Sequence, residues 1–321
     1  MPRKNRAIAR TVVPSRRDLF AAFSIRTAAS WHRRQRALCG AVVLLTLFVS
    51  PDRACLAQQT SPPVSQQDSE PLAEKINDPT ASLTQVQIKD IFTPAEYSTN
   101  ARPNTVQVRA IFAIRPLSWM PWEQLVRPTI KVVTVPNGKG ASTSTAYDDM
   151  QLLDLFVMPW PNSKETSFRW GFGPYFVFPT STSNLTGDGA WELGPAAAFS
   201  YRGFPGLNIA GLLQQATSFA YSSSKSTPIT SLTFQPVITY QIGQEWYVKS
   251  SDATWTFNLR RKTSTTMPLS AGFGKVWKPS EGYAIDTSIS GEWMVYRQFS
   301  TRTEQFSSNF LVSLVLPKPE F

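Results

Sequence analysis

Residues 168–178 have the sequence FRWGFGPYFVF, in which every second residue from Phe168 to Phe178 is apolar. A polar loop rich in Ser, Thr, Asn and Gly follows, and the alternation resumes over residues 190–201 with the sequence AWELGPAAAFSY. A period of two over about ten residues is typical of strands with one face against an apolar phase. Tilted strands of this length also span a bilayer. The stretch predicts a long β-hairpin, either in a membrane barrel or in a soluble sandwich.

The same alternation recurs on both sides of this hairpin. No helical pattern and no apolar run of about 18 residues interrupts it from residue 82 onward. Twelve candidate strands lie at 82–92, 105–116, 123–135, 145–158, 167–178, 190–201, 207–221, 231–242, 246–259, 266–277, 283–296 and 305–316. The sequence therefore predicts an all-β fold with about 12 strands.

The loops and the tryptophans favour a membrane barrel over the sandwich. The loops alternate between a shorter set, beginning with 117–122, and a longer set, beginning with 93–104. Outer-membrane barrels have short periplasmic turns, longer outer loops and an even strand number, and their tryptophans gather at the two membrane interfaces. The tryptophans at the short-turn ends of the strands are Trp119, Trp122, Trp160, Trp246 and Trp277, and those near the opposite ends are Trp191, Trp255 and Trp293. We expect a single antiparallel transmembrane β-barrel in the outer membrane of a Gram-negative bacterium.

The first 57 residues differ from the rest in charge. They contain 11 of the 32 Lys and Arg residues but two of the 22 acidic ones, so the other 264 residues carry 21 basic and 20 acidic groups. A basic region, an apolar run at 37–49 and a small-residue exit at 55–57 form the layout of a secretory signal. We expect a signal peptide at 1–57, a flexible periplasmic lead-in at 58–81 and the outer-membrane barrel at 82–321. Positive charge confined to the leader is no evidence for nucleic-acid binding.

Residues with common catalytic side chains are missing after the leader. Both cysteines, Cys39 and Cys55, and the only histidine, His32, lie within the first 57 residues. Disulfides, thiol nucleophiles, Ser-His-Asp triads and histidine-ligated metals are therefore excluded from the barrel. The adjacent acids Asp148 and Asp149 lack further oxygen ligands, which favours solvated loop charge over a cation site. We expect neither enzymatic activity nor a metal or cofactor.

Three segments carry a resemblance to a known family: GFGPYFVFP at 171–179, GDGAWELGP at 187–195 and SLTFQPVITY at 231–240. Segments at 246–250 and 272–276 fit the same pattern in order. They resemble the outer-membrane protein family of the phenol-degradation meta pathway, which is similar in architecture to the long-chain fatty acid transporters. One departure is the ending, Pro317-Lys-Pro-Glu before Phe321, where such barrels usually finish on an aromatic residue.

This resemblance implies an outer-membrane channel or diffusion facilitator for small, hydrophobic or aromatic molecules. Membrane lipid and a small-molecule solute are then the expected partners, and nucleic acid is not. The alternative is a structural or surface barrel with a closed lumen that acts through its outer loops. Either function requires export through the periplasm to the outer membrane.

The strand parity predicts which side chains line the lumen. If the apolar parity faces lipid, the charged residues of the other parity point inward, namely Arg109, Arg127, Lys131, Arg169, Glu192, Asp252, Asp286 and Glu292. The basic members come mainly from the first five strands and the acidic members from later ones. They form either ion pairs that brace the barrel or charged pore walls that bias permeant ions.

Two Gly-Pro steps face each other in the opening hairpin if its loop is centred near residue 184. These are Gly173-Pro174 and Gly194-Pro195. Because proline cannot donate to a strand ladder, we expect a kink or bulge in this wall. The irregularity is either tolerated without function or a lateral exit for hydrophobic solute.

Overall fold

The computed structural model describes residues 72–138, 140–158, 167–222, 228–250, 253–260, 265–280, 282–298 and 303–317. The predicted signal peptide lies outside these residues. Helix α1 spans Leu72–Ile76. The strands are β1 (Thr84–Glu96), β2 (Asn104–Ile114), β3 (Glu123–Pro136), β4 (Thr143–Tyr147), β5 (Met150–Val157), β6 (Phe168–Phe178), β7 (Ala190–Phe204), β8 (Leu207–Tyr221), β9 (Thr230–Ile242), β10 (Trp246–Ser250), β11 (Trp255–Asn258), β12 (Thr265–Ser280), β13 (Tyr283–Gln298) and β14 (Glu304–Leu316).

The strands close into one antiparallel barrel. The chain folds as a meander, and β1 pairs with both β2 and β14, which joins the two ends of the sheet. β4 and β5 form a single barrel strand that is interrupted at Asp148 and Asp149, and β10 and β11 occupy another barrel position between β9 and β12. The barrel therefore has twelve strands, as the alternation predicts.

The two ends of the barrel differ in their connections. One end, here called the short-turn end, carries a two-residue turn between β7 and β8 and a three-residue turn between β9 and β10. Gly206 and Gly243 occupy these turns with φ values of 73° and 72°, a conformation that glycine adopts without steric cost. The other end, the long-loop end, carries loops such as 179–189 and 222–229. Short and long connections thus alternate as expected for an outer-membrane barrel.

An apolar belt covers the outside of the barrel. Its members alternate along the strands with buried residues and include Ile88, Val108, Phe112, Phe172, Leu213, Ile238, Phe273, Ile289 and Phe310. Contiguous exposed apolar surface of this extent is foreign to soluble monomers but is the normal contact surface with lipid. No helix of the described residues has the length and apolarity needed to cross a bilayer.

The tryptophans mark the two edges of this belt. Trp119, Trp122, Trp246 and Trp277 lie at the short-turn end, whereas Trp191 and Trp293 lie towards the long-loop end. The fifth predicted member of the first group, Trp160, falls outside the described residues. The Lys275 ammonium lies 5.3 Å from the ring centroid of Trp246 and 3.8 Å from that of Trp277. A cation held over two tryptophans suits the membrane interface, where water and lipid headgroups meet.

The inside of the barrel has an apolar sector that parity alone does not predict. This wall cluster consists of Leu125, Leu153, Leu155, Val157, Ala196, Ala198 and Leu212, all of them buried. In β5 the residues are apolar except Gln151 and Asp154, and Asp154 lies on the outward parity and accepts two hydrogen bonds of 2.9 Å from the Gln124 amide. The inward parity from β3 to β8 therefore combines apolar side chains with the charged ones that the sequence analysis assigns to the lumen.

The last ten residues of the predicted lead-in are folded inside the barrel. Ala73, Ile76 and Ala81 are at most 6% exposed, and the first two pack in a second apolar cluster with Tyr247, Val276, Ala284 and Val315. Those four wall residues lie near the short-turn ends of their strands. The expectation of a flexible segment through residue 81 is wrong for residues 72–81, which we call the plug. A single helical turn is stable here because the barrel wall buries its apolar face.

The barrel lumen as the candidate functional site

The plug is anchored by the carboxylate of Asp78, a residue that is 5% exposed and whose side chain is fully buried. One carboxylate oxygen accepts hydrogen bonds from the backbone N–H and the hydroxyl of Thr80, at 2.7 and 2.8 Å. The other accepts a hydrogen bond of 2.7 Å from the Ser200 hydroxyl and forms an ion pair with Arg202. A buried carboxylate is stable only when charge and hydrogen bonds compensate its lost hydration. Asp78 therefore ties the plug to β7.

Further hydrogen bonds hold the plug on two sides of the lumen. The side-chain amide of Asn208, on β8, donates to the carbonyl oxygen of Glu74 at 3.2 Å. From β1, the Gln85 amide donates to the carbonyl oxygen of Ile76 at 3.4 Å, and the Ser313 hydroxyl of β14 donates to the Gln85 side-chain oxygen at 2.8 Å. Because β7 and β8 bind one side and β1 and β14 the other, the plug crosses the barrel interior.

Two pairs of polar side chains lie on the barrel wall, one of them buried and the other partly exposed. The Tyr247 hydroxyl donates a hydrogen bond of 2.7 Å to the carboxylate of Asp286, which is fully buried. Arg169 donates to the Glu123 carboxylate at 3.1 Å and to the Ser82 hydroxyl at 3.3 Å, and that hydroxyl also bonds to Glu123. Ion pairs such as Arg169–Glu123 would brace the barrel, which is one of the two expectations for the lumenal charges.

A cavity of about 270 Å³ lies inside the barrel beyond the plug. Plug residues Ile76 to Pro79 border it on one side. Its lining continues to Thr105 and Glu304, which stand at the long-loop ends of β2 and β14. The remaining lining comes mainly from polar side chains of β1, β2, β3, β9 and β10, with the apolar side chains of Ile91, Ile111, Val237 and Leu311 between them. We call this space the lumenal cavity.

Cations and amides form the wall of the cavity on the first strands. Gln87 of β1 pairs in register with Arg109 of β2, and Lys89 pairs with Gln107. Arg109 pairs in turn with Thr129 of β3, which places Arg127 two residues along on the same face. Directly opposed and diagonal side chains on one face of a sheet are within reach of each other. The first three strands therefore present a basic, amide-rich surface to the cavity.

The structure places the predicted lumenal residues at several different sites. Arg109, Arg127 and Glu292 line the cavity together. Lys131 lies 3.4 Å from the Asp148 carboxylate, and Glu192 is buried at the third residue of β7. Arg169 and Asp286 belong to the polar pairs described above, away from the cavity lining. Asp252 falls outside the described residues.

The two Gly-Pro steps sit side by side in the hairpin. Pro174 pairs with Pro195 in a β6–β7 ladder that keeps one register over its whole length. The ladders on either side are interrupted at this height. On the β5 side, pairing stops after Leu153–Tyr175 and resumes at Phe156–Phe172, so Gly173 and Pro174 have no partner there. On the β8 side, pairing stops after Leu193–Thr217 and resumes at Ala196–Gln214, so Gly194 and Pro195 have no partner there. Both proline rings thus coincide with local gaps in pairing to the outer neighbours.

The glycines of these steps accommodate a close approach of backbones. A Cβ atom on Gly173 would overlap the carbonyl oxygen of Asp154, and one on Gly194 would overlap that of Gln215. The Cα–Cβ direction at both positions therefore points towards the neighbouring strand, whereas regular strand residues project from the sheet. Glycine is required at both places because any side chain would displace β5 or β8.

Asp149 has a structural role that differs from the expected solvated loop charge. Its side chain is 5% exposed, and its two oxygens accept backbone hydrogen bonds from Ser181 at 3.0 Å and from Asp188 at 2.9 Å. These donors lie in the loop 179–189. The carboxylate thus fastens that loop over the interruption between β4 and β5.

Sequence reasoning overlooks the residues that hold the plug, namely Asp78, Arg202, Asn208 and Tyr247. One local signal exists, since Asp-Pro-Thr at 78–80 is a common turn-forming combination in which the acid bonds to its own backbone. Nothing local indicates the partners on β7 and β8, which follow more than 120 residues later.

Comparison with known proteins supports the fold. No model of a protein family and no curated protein matches this chain. Among solved structures, an outer membrane channel from Pseudomonas putida F1 matches 75% of this chain and 98% of its own length, with a TM-score of 0.55 at 10% identity. The NanC porin covers 72% of this chain and 98% of its own, with a TM-score of 0.44 at 8% identity. The chain has the fold of bacterial outer-membrane β-barrels.

Proposed function

We propose that the protein is a channel of the bacterial outer membrane that admits small molecules through the lumenal cavity. The cavity carries this proposal, because it runs inside a closed barrel from the long-loop ends of β2 and β14 to the plug. Its volume of about 270 Å³ suits small solutes, since drug-sized ligands occupy pockets of about 300–1,000 Å³. No catalytic role is proposed, because the chain after residue 57 has neither His nor Cys.

We further propose that the solutes are hydrophobic or aromatic. The cavity supports this preference, since Ile91, Ile111, Val237 and Leu311 add apolar side chains to its lining. The likeness of segments 171–179 and 187–195 to the phenol-degradation family points the same way. A lateral exit at the Pro174–Pro195 pair belongs to this proposal. The gaps in pairing towards β5 and β8 support the exit, whereas the continuous ladder between β6 and β7 counts against it.

A second candidate is a closed barrel that acts through its outer loops. The plug favours it, because residues 72–81 fill the lumen near the short-turn end and are bonded to opposite walls. The loop 179–189, held by Asp149, offers an ordered outer surface.

Planar-bilayer recording of the purified full-length protein separates the two candidates. If the protein is a channel, the wild type gives discrete conductance steps. The substitution Arg202→Gln then increases the open fraction, because the plug loses the ion pair that holds Asp78. Lys275→Gln is the matched control, since it removes a positive charge from the membrane-facing rim and should leave conductance unchanged. Folded wild-type and Arg202→Gln proteins that both fail to conduct would support the closed barrel.

A further inference from the structure

We propose that the lumenal cavity contains a binding site for the carboxylate group of a small organic acid, formed by Arg109 and Arg127. The site gives the channel a preferred solute class, aromatic or apolar monoacids, and it therefore rests on the proposed function.

Two guanidinium groups of like charge share one face of the wall. Arg109 is in register with Thr129, and Arg127 is the next inward residue of β3, so the two side chains are diagonal neighbours that both line the cavity. Like charges that face one cavity repel each other. An anion between them removes that repulsion and gains attraction to both.

Arg127 retains an unused donor. Among the described residues, its buried Nε atom has no hydrogen-bond partner. Burying such a donor without a partner costs about 1–3 kcal/mol, a cost that a ligand oxygen would remove. Guanidinium groups present two parallel N–H donors that match the two oxygens of a carboxylate.

The charge of the lining favours an anion. Four basic side chains border the cavity, Lys89, Arg109, Arg127 and Lys249, against three acidic ones, Asp78, Glu292 and Glu304. Asp78 is already neutralised by Arg202, which does not line the cavity. The excess of one basic side chain in the lining favours negative solutes.

The cavity beside Arg127 favours an acid with a small apolar body. A side pocket of about 20 Å³, which has room for about one water molecule, adjoins the cavity at Arg127 and is lined by Asp78 as well as by Leu125, Leu153 and Leu155 of the wall cluster. On the cavity side, Ile111 and Val237 offer further apolar surface. An inorganic anion would satisfy the arginines but would leave these apolar walls in contact with water. A compact acid such as benzoate satisfies both.

Isothermal titration of the full-length protein in detergent micelles with benzoate tests this site. We expect wild-type binding to weaken at least tenfold in Arg127→Gln and in Arg109→Gln, and to stay within twofold in the control Lys275→Gln. Arg127→Lys, which keeps the charge but removes the planar fork, should give an intermediate loss. Arg109→Gln is the independent test if the Arg127→Gln barrel does not fold.

Competing ligands test the chemistry of the same site. Benzyl alcohol has the ring without the carboxylate, and sulfate has the charge without the ring, so neither should displace benzoate at equal concentration. The proposal is overturned if both arginine variants bind benzoate like the wild type, or if benzyl alcohol or sulfate binds as tightly.

Conductance tests the channel proposal and benzoate binding tests the carboxylate site, so either proposal can fail while the other holds. A conducting protein whose benzoate affinity does not depend on either arginine would retain the channel and lose the carboxylate site. Arginine-dependent binding in a protein that never conducts would retain the site and lose the channel.

Discussion

Asp78 of the plug and Arg202 of β7 form a buried ion pair between residues that lie 124 positions apart in the chain. The carboxylate has no exposed surface, and the guanidinium side chain is 10% exposed. Removing one member of such a pair leaves the other charge without compensation and typically costs about 3–5 kcal/mol. The position of the plug therefore depends strongly on this one contact.

The first prediction concerns the plug. Asp78→Asn should increase amide hydrogen exchange in residues 72–81 at least tenfold while exchange in the barrel strands changes little, because the plug loses its ion pair. Mass spectrometry of peptic fragments measures both. Glu245→Gln is the matched control, since Glu245 forms a half-exposed pair with Lys275 at 3.3 Å that contributes at most about 1 kcal/mol. Equal protection of 72–81 in Asp78→Asn and wild type would show that the pair does not hold the plug.

The second prediction concerns the Gly-Pro wall. Gly173→Ala should destabilise the folded barrel by at least about 2 kcal/mol, because the new Cβ would overlap the Asp154 carbonyl oxygen and force β5 to move. Gly140→Ala serves as the control, since a Cβ at that position meets no atom within 4 Å. Urea unfolding in micelles measures both variants. If the two substitutions cost the same, the close approach of β5 and β6 is not a real constraint.

The third prediction concerns the buried pair formed by Tyr247 and Asp286. Tyr247→Phe removes the hydroxyl that donates to Asp286 and should lower the unfolding free energy by about 1–3 kcal/mol, the usual cost of leaving a buried polar group with fewer partners. Tyr240→Phe, on the half-exposed outer face, should be neutral. Thermal unfolding followed by gel mobility provides the comparison, and matching midpoints would contradict the argument.

The fourth prediction concerns the lipid-facing belt. Phe172→Arg places a charge on the outer face of β6 and should destabilise the barrel in a bilayer by about 2–4 kcal/mol. Trp119→Arg, at a rim position that is 77% exposed, should cost at most about 1 kcal/mol. Equilibrium folding into phospholipid vesicles measures both costs. A soluble barrel would tolerate the two changes alike.

The strands were predictable because a two-residue period is a local signal. Each of the twelve predicted spans overlaps one barrel strand, and the span 190–201 begins at the same residue as Ala190–Phe204. The strand 246–259 is interrupted between β10 and β11. Local alternation indicates an extended backbone but does not report where a strand breaks.

The interior was harder to predict because its partners are distant in the chain. In β5 the sequence MQLLDLFV has apolar residues on both faces and one polar residue on each, so it does not indicate that Leu153 and Leu155 point into the barrel while Asp154 lies on the outer parity. The plug has one helical turn and no repeating pattern. Its burial depends on contacts with Asn208 and Arg202, and the sequence around these two residues does not indicate that they bind a distant segment.

The contacts of the plug also constrain the order of assembly. Its partners on β7 and β8 are synthesised more than 120 residues after it, and Ser313 completes the network 228 residues after Gln85. Such long separations delay folding because the intervening chain must be ordered before the contact forms. We therefore expect residues 72–81 to become ordered only after most of the barrel has formed. A chain truncated before β14 would lack both the closed wall and the Ser313 contact to Gln85.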